Sequence, residues 1–121
     1  MTTILAGNTE ANKNMVELVI ANNDGMAEGA VAALQQAGYN TGDEGSTTIP
    51  VYGVDAMESA LQKIEKGQMT GTVKQDGPAM AATIMTLVQN VGAEAGLMDN
   101  TDSYNIKDGV NKIMVPYAKI S

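Results

Sequence analysis

Short apolar runs alternate with helix-period segments along this chain, and that alternation constrains its fold more than any other feature. Glu17-Leu18-Val19-Ile20-Ala21 is compact, β-branched and bounded by polar residues, which reads as a buried strand. Met26, Ala27, Ala30, Val31, Leu34 and Ala37 recur at helical spacing, and Gly38 supplies a C-terminal stop. After the turn-rich loop Tyr39–Ser46, Ile49–Val54 forms a second strand, with Pro50 at its start because proline brings no N–H to a ladder. Met57, Ala60, Leu61 and Ile64 mark an amphipathic helix that Gly67 ends, and Thr70–Val73 is a third strand. A helix starts at Pro78 and runs to about Ala95. An irregular polar stretch from Asp99 to Gly109 then leads to a last strand over about Lys112–Ala118. Met1–Ala6 reads either as strand, from Thr2-Thr3-Ile4-Leu5, or as helix stopped by Gly7. Strands separated by helices require right-handed crossovers, so the expected fold is α/β with a parallel sheet and flanking helices.

Composition removes most catalytic chemistries. The 121 residues include no Cys and no His, so thiol nucleophiles, the Ser–His–Asp triad and the usual zinc sites are excluded. The formal charge is −7 and every basic residue is a lysine, which argues against a nucleic-acid partner and against anionic membranes. Met1–Gly7 has neither the basic start nor the apolar run of a signal peptide. There is no Trp or Phe but there are 9 Met, so the core must be built from Val, Ile, Leu, Ala and Met.

In parallel sheets ligands bind beyond the carboxyl ends of the strands. Those ends read Asn22-Asn23-Asp24, Asp55 and Gln75-Asp76. Amides and carboxylates with one lysine nearby, Lys74, suit a neutral polyhydroxyl ligand better than a phosphate. A capping role fits the same residues: Asp24 as N-cap of the first long helix, and Asp55-Ala56-Met57-Glu58 as a capping box. Asp55 and Asp76 are also the carboxylate pair to suspect for glycoside hydrolysis, although both have these simpler uses. Asp99, Asp102 and Asp108 lack calcium-loop spacing and read as a solvated loop. Between Gly77 and Ala93 no residue is charged, and Met80, Ile84, Leu87, Val88 and Val91 form one stripe widened by Ala81 and Met85. So broad an apolar surface expects burial on more than one side.

Several of these blocks together resemble the periplasmic galactose/glucose-binding proteins, within the type I periplasmic sugar-binding fold. They are Val19–Ala30 with its Asn22-Asn23-Asp24 triplet, Ile49–Ala56 with Gly53-Val54-Asp55-Ala56, Gly71–Asp76, and Val115-Pro116-Tyr117. The resemblance runs over about 15 to 121, in the family's order and at similar spacing. It implies a sugar-binding component of an ABC importer, not an enzyme, in the periplasm or held at the cell surface as a lipoprotein. Asn23 and Asp55 match sugar-binding positions. Gln75 stands where the family has Asn, a departure that lengthens the side chain by one methylene. Glu17 matches a glutamate that helps bind a structural calcium, whose loop has no counterpart here.

The resemblance also implies that the chain is a C-terminal portion of a two-lobed receptor. Residues 1–76 would belong to the C-terminal lobe, 77–109 to a hinge crossing with a helix of the other lobe, and 110–121 to a returning strand. Expected partners are a monosaccharide, an ABC permease, and either the remaining receptor or a second copy against helix 78–95. The chain alone is expected to hold sugar poorly. Two other readings share the architecture: the effector core of a LacI-type regulator, and a stand-alone flavodoxin-like domain.

Overall fold

The computed structural model describes residues 1–107, 109–110 and 112–121, and Asp108 and Asn111 lie outside them. The chain divides into two units, one of residues 1–74 and 119–121, the other of residues 75–118.

In the first unit the order is α1 (Thr2–Gly7), β1 (Val19–Ile20), α2 (Asp24–Gln36), β2 (Val51–Tyr52), α3 (Glu58–Glu65) and β3 (Thr72–Lys74). Strands β1 and β2 pair in parallel, Val19 opposite Val51 and Ile20 opposite Tyr52, and a parallel bridge joins Tyr52 to Gly71 just before β3. This is the α/β arrangement expected from the alternation of runs. The ambiguous N-terminus is helical, with Leu5 turned into the core.

Leu34, Val31 and Val51 are the large apolar side chains fully withdrawn from water, and Ala27, Ile49, Ala60 and Met69 join them. The spacing that predicted α2 is the spacing of its buried face, Ala27, Ala30, Val31 and Leu34. Its end is closed as the glycine foretold: Gly38 has φ +88°, its N–H donates to Gln35 O at 3.0 Å, and Tyr39 N–H donates to Leu34 O at 3.0 Å. Gly67 (φ +67°) closes α3 in the same way, with bonds from Gly67 N–H to Ile64 O and Gln68 N–H to Lys63 O. Buried Asn40 binds the intervening loop. Its Nδ2 donates to Ile49 O (2.8 Å) and Gln68 O (3.1 Å), and its Oδ1 accepts from Ile49 N–H (2.9 Å).

The second unit holds α4 (Gly77–Gly92), β4 (Asn105–Ile106) and β5 (Ile113–Met114). Strand β6 (Ala118–Ile120) follows across the division of the chain and pairs with β3. Two expectations are corrected here. The stretch from Asp99 to Gly109 is not uniformly irregular, because β4 pairs with β5 antiparallel, Asn105 opposite Met114 and Ile106 opposite Ile113. The single strand expected over 112–118 is two short strands, β5 and β6, separated by Val115-Pro116-Tyr117. Proline cannot donate to a ladder and restricts the residue before it, so the run breaks there. None of the described helices is long and apolar enough to cross a membrane.

Candidate functional site

In the first unit, two of the segments that follow strands meet at the carboxyl edge of the β1–β2 pair. Asp24 N–H donates to Val54 O at 2.8 Å, which ties the segment after β1 to the segment after β2. Asn23 and Asp55, one from each segment, are both exposed. Asn23 is the N-cap of α2, its Oδ1 accepting from Met26 N–H at 2.9 Å. The cap is therefore Asn23 rather than the expected Asp24. Capping takes only the side-chain oxygen, and the donors of the Asn23 amide remain for another acceptor.

Asp24 is instead the first residue of α2 and is fully buried. Its Oδ2 accepts from Met57 N–H at 2.7 Å and its Oδ1 from the Thr72 hydroxyl at 2.6 Å. The expected capping box at Asp55 is likewise corrected: Met57 holds the N-cap position of α3, with no side-chain cap of its own, and Asp24 caps that helix from across the unit. Asp55 does not hold the N-cap position of α3. It has φ +115° and Ala56 has φ +55°, a pair of left-handed residues without a glycine. Such backbone is costly for side chains with a Cβ and is held where the surroundings over-determine it. Here Asp55 N–H donates to Val73 O at 2.8 Å and Ala56 N–H to Thr72 Oγ1 at 3.3 Å.

Gln75 is exposed and is the first residue of the second unit, directly after β3. Asp76 caps α4, its Oδ1 accepting from Ala79 N–H at 3.0 Å. Glu17 is exposed two residues before β1. Calcium takes six to eight oxygen ligands, and among the described residues no group of three or more acidic side chains that could hold a metal occurs. Asp99 is exposed and accepts from Gly96 N–H at 2.9 Å, Asp102 is exposed, and Asp108 lies outside the described residues.

A cavity of about 390 Å³ belongs to the second unit, with Asp76, Met80, Ile84, Lys112, Met114 and Tyr117 in its lining. Neither Asn23 nor Asp55 lines it. Asn23 and Asp55 are exposed at this edge, as their place after strands implies, whereas Thr72, read from sequence only as a strand residue, is buried with its hydroxyl bonded to Asp24 and Ala56. The signal for it was local: a hydroxyl in a strand that must be buried between helices needs a polar partner.

A periplasmic binding protein domain matches residues 1–95. Among curated relatives, the D-galactose/methyl-galactoside binding periplasmic protein of Haemophilus influenzae is 32% identical over 112 residues, which cover 93% of this chain and 30% of that protein. The D-xylose-binding periplasmic protein of Escherichia coli is 28% identical over 88% of this chain and 31% of its own length. The xylitol-binding protein of Mycolicibacterium smegmatis is 36% identical over 51% of this chain and 16% of its own. The chain thus spans about 30% of the length of the first two relatives.

Proposed function

The chain belongs to the type I periplasmic sugar-binding protein family, and from that premise we propose that it is part of the monosaccharide-binding component of an ABC importer. The family is one of binding proteins, not enzymes. The ligand is galactose or glucose, the location is extracytoplasmic, and the closed, sugar-loaded whole protein is what a membrane permease receives.

The observation that carries this reading is the exposed Asp55 carboxylate, held in left-handed backbone beside the segment that bears Asn23. A carboxylate accepts from sugar hydroxyls and an amide N–H donates to them, so the two residues offer a polyol both polarities of hydrogen bond. The absence of arginine and histidine and the charge of −7 favour a neutral ligand. Gln75 is proposed as a third contact from its position after β3. The galactose-binding relative supports a hexose, whereas two relatives are named for xylose and xylitol.

The remainder of the whole protein is proposed as the cover of α4. The second unit leaves Ile84, Val88 and Val91 61%, 59% and 64% exposed, and the matched stretch makes up only 30% and 31% of the first two relatives. An apolar surface of that extent rarely stays bare. Calorimetric titration of the whole protein with galactose, glucose and xylose tests the ligand. Asn23→Asp sharpens it, because aspartate caps a helix as well as asparagine but has no amide N–H. Affinity for the hexose should fall while stability holds; unchanged hexose affinity, or tighter binding of xylose, would count against the assignment.

A further inference from the structure

We infer that Thr72 and Asp24 are positioning residues for the Asp55 contact: a buried hydroxyl–carboxylate pair that sets the direction of the rim without touching sugar. The inference rests on the reading of Asp55 as a sugar contact. Thr72 is 2% exposed and Asp24 is 0% exposed, so neither is accessible to a ligand. Their hydrogen bonds nonetheless reach two of the three residues that form the rim turn, Ala56 and Met57, directly after Asp55. The Thr72 hydroxyl donates to Asp24 Oδ1 (2.6 Å) and, with its lone pair, accepts from Ala56 N–H (3.3 Å). The other carboxylate oxygen of Asp24 accepts from Met57 N–H (2.7 Å).

Two consecutive amides, of Ala56 and Met57, are thus drawn inward by one relay, and the residue before them, Asp55, is bonded through its own N–H to Val73 O (2.8 Å). These three successive N–H groups are satisfied within the unit while the chain turns through positive φ at Asp55 and Ala56, backbone that such surrounding bonds hold in place. A single hydroxyl that both donates and accepts is needed at position 72, a requirement that Ser or Thr meets and Val does not. The space around the carboxylate is also reserved. A Cβ on Gly53 would lie 2.3 Å from Asp24 Oδ1 and 3.0 Å from the Met69 methyl, so the glycine of Gly53-Val54-Asp55 makes room for Asp24. A hydroxyl bonded to an ionised carboxylate is among the stronger hydrogen bonds, and misplacing a binding group by a fraction of an ångström weakens what it holds.

The test uses the whole protein carrying this segment, with galactose and glucose titrated by calorimetry and amide exchange read by NMR. Thr72→Val should weaken hexose binding by about tenfold or more, the scale of one lost well-directed hydrogen bond to a charged group. It should also speed exchange at Ala56 and Met57. Thr72→Ser should restore both. Val31→Ala, which weakens the same core from α2, should lower stability and leave affinity unchanged. Unaltered affinity in Thr72→Val, or an equal loss of affinity in Val31→Ala at matched stability, overturns the inference by making the pair merely structural. If the unsubstituted protein binds no monosaccharide, the proposed function fails. Exchange at Ala56 and Met57 then decides the relay separately: slow exchange retained in Thr72→Val overturns it, and faster exchange restored by Ser supports it.

Discussion

The first unit withdraws Val31, Leu34 and Val51 from water, whereas among the described residues of the second the buried ones are Thr83, Asn90 and Thr101, and its apolar Ile84, Val88 and Val91 face outward. The buried polar groups of the second unit are satisfied locally. Thr83 Oγ1 donates to Ala79 O, Asn90 Nδ2 to Leu97 O, and Thr101 Oγ1 to Met98 O. Among its described residues no apolar side chain is buried, in contrast to the hydrophobic burial that drives folding in the first unit. One unit carries a core of its own residues. The other leaves the apolar face of α4 exposed, the surface for which the rest of the whole protein is proposed as cover.

The largest effect expected from this contrast is at the centre of the first unit. Leu34→Ala should destabilise the chain by about 2–5 kcal/mol, because the site is fully packed and a cavity remains; denaturant unfolding reads it. Asn40→Ala comes next, at about 1–3 kcal/mol for the buried partners it strands, with an added cost because position 40 sits at φ +51°. Asn23→Ala should cost about 1 kcal/mol through the lost cap of α2, measured in the same way.

In the second unit, Val88→Lys should change stability by no more than about 0.5 kcal/mol while reducing association of the chain in sedimentation. If it unfolds the chain as Leu34→Ala does, the contrast between the units breaks. The smallest effect returns to the first unit. The Tyr39 hydroxyl donates to the Glu10 carboxylate at 3.0 Å, and that bond, with desolvation and the negative charge, raises the phenol above its ordinary 10.0. The neutral phenol is the favoured form, so its contribution is present at neutral pH and is lost as pH climbs through the raised value. In an ultraviolet titration Tyr39 should ionise late, and Tyr39→Phe should remove that late component.

Element identity in the first unit was legible outside α1, whose segment read equally as strand or helix, because the other segments obey local rules. The spacing of α2, and the glycines at 38 and 67 that accept left-handed backbone, act over a few residues. Strand lengths were overestimated, since Glu17–Ala21 carries only two laddered residues, Val19 and Ile20. The β4–β5 pairing was not legible, because Asn105-Ile106 has no apolar alternation of its own and is selected by its partner. At the candidate site, the exposed position of Asn23 and Asp55 was legible from their place after strands. Their division of labour was not: whether Asn23 or Asp24 caps α2 depends on which side chain the buried Thr72 hydroxyl and Met57 N–H draw inward.

The sequence by itself determined the α/β alternation, most of the buried face of α2, the exclusion of thiol and histidine chemistry, and the charge-free apolar stripe of α4, for these follow from composition and from periods of two to four residues. Tertiary structure alone decided that Asp24 reaches across 33 residues to cap α3 at Met57 and across 48 to meet Thr72. Those bonds arise from parallel strands bringing distant chain ends to one edge, and no local period encodes which buried oxygen will find which distant N–H.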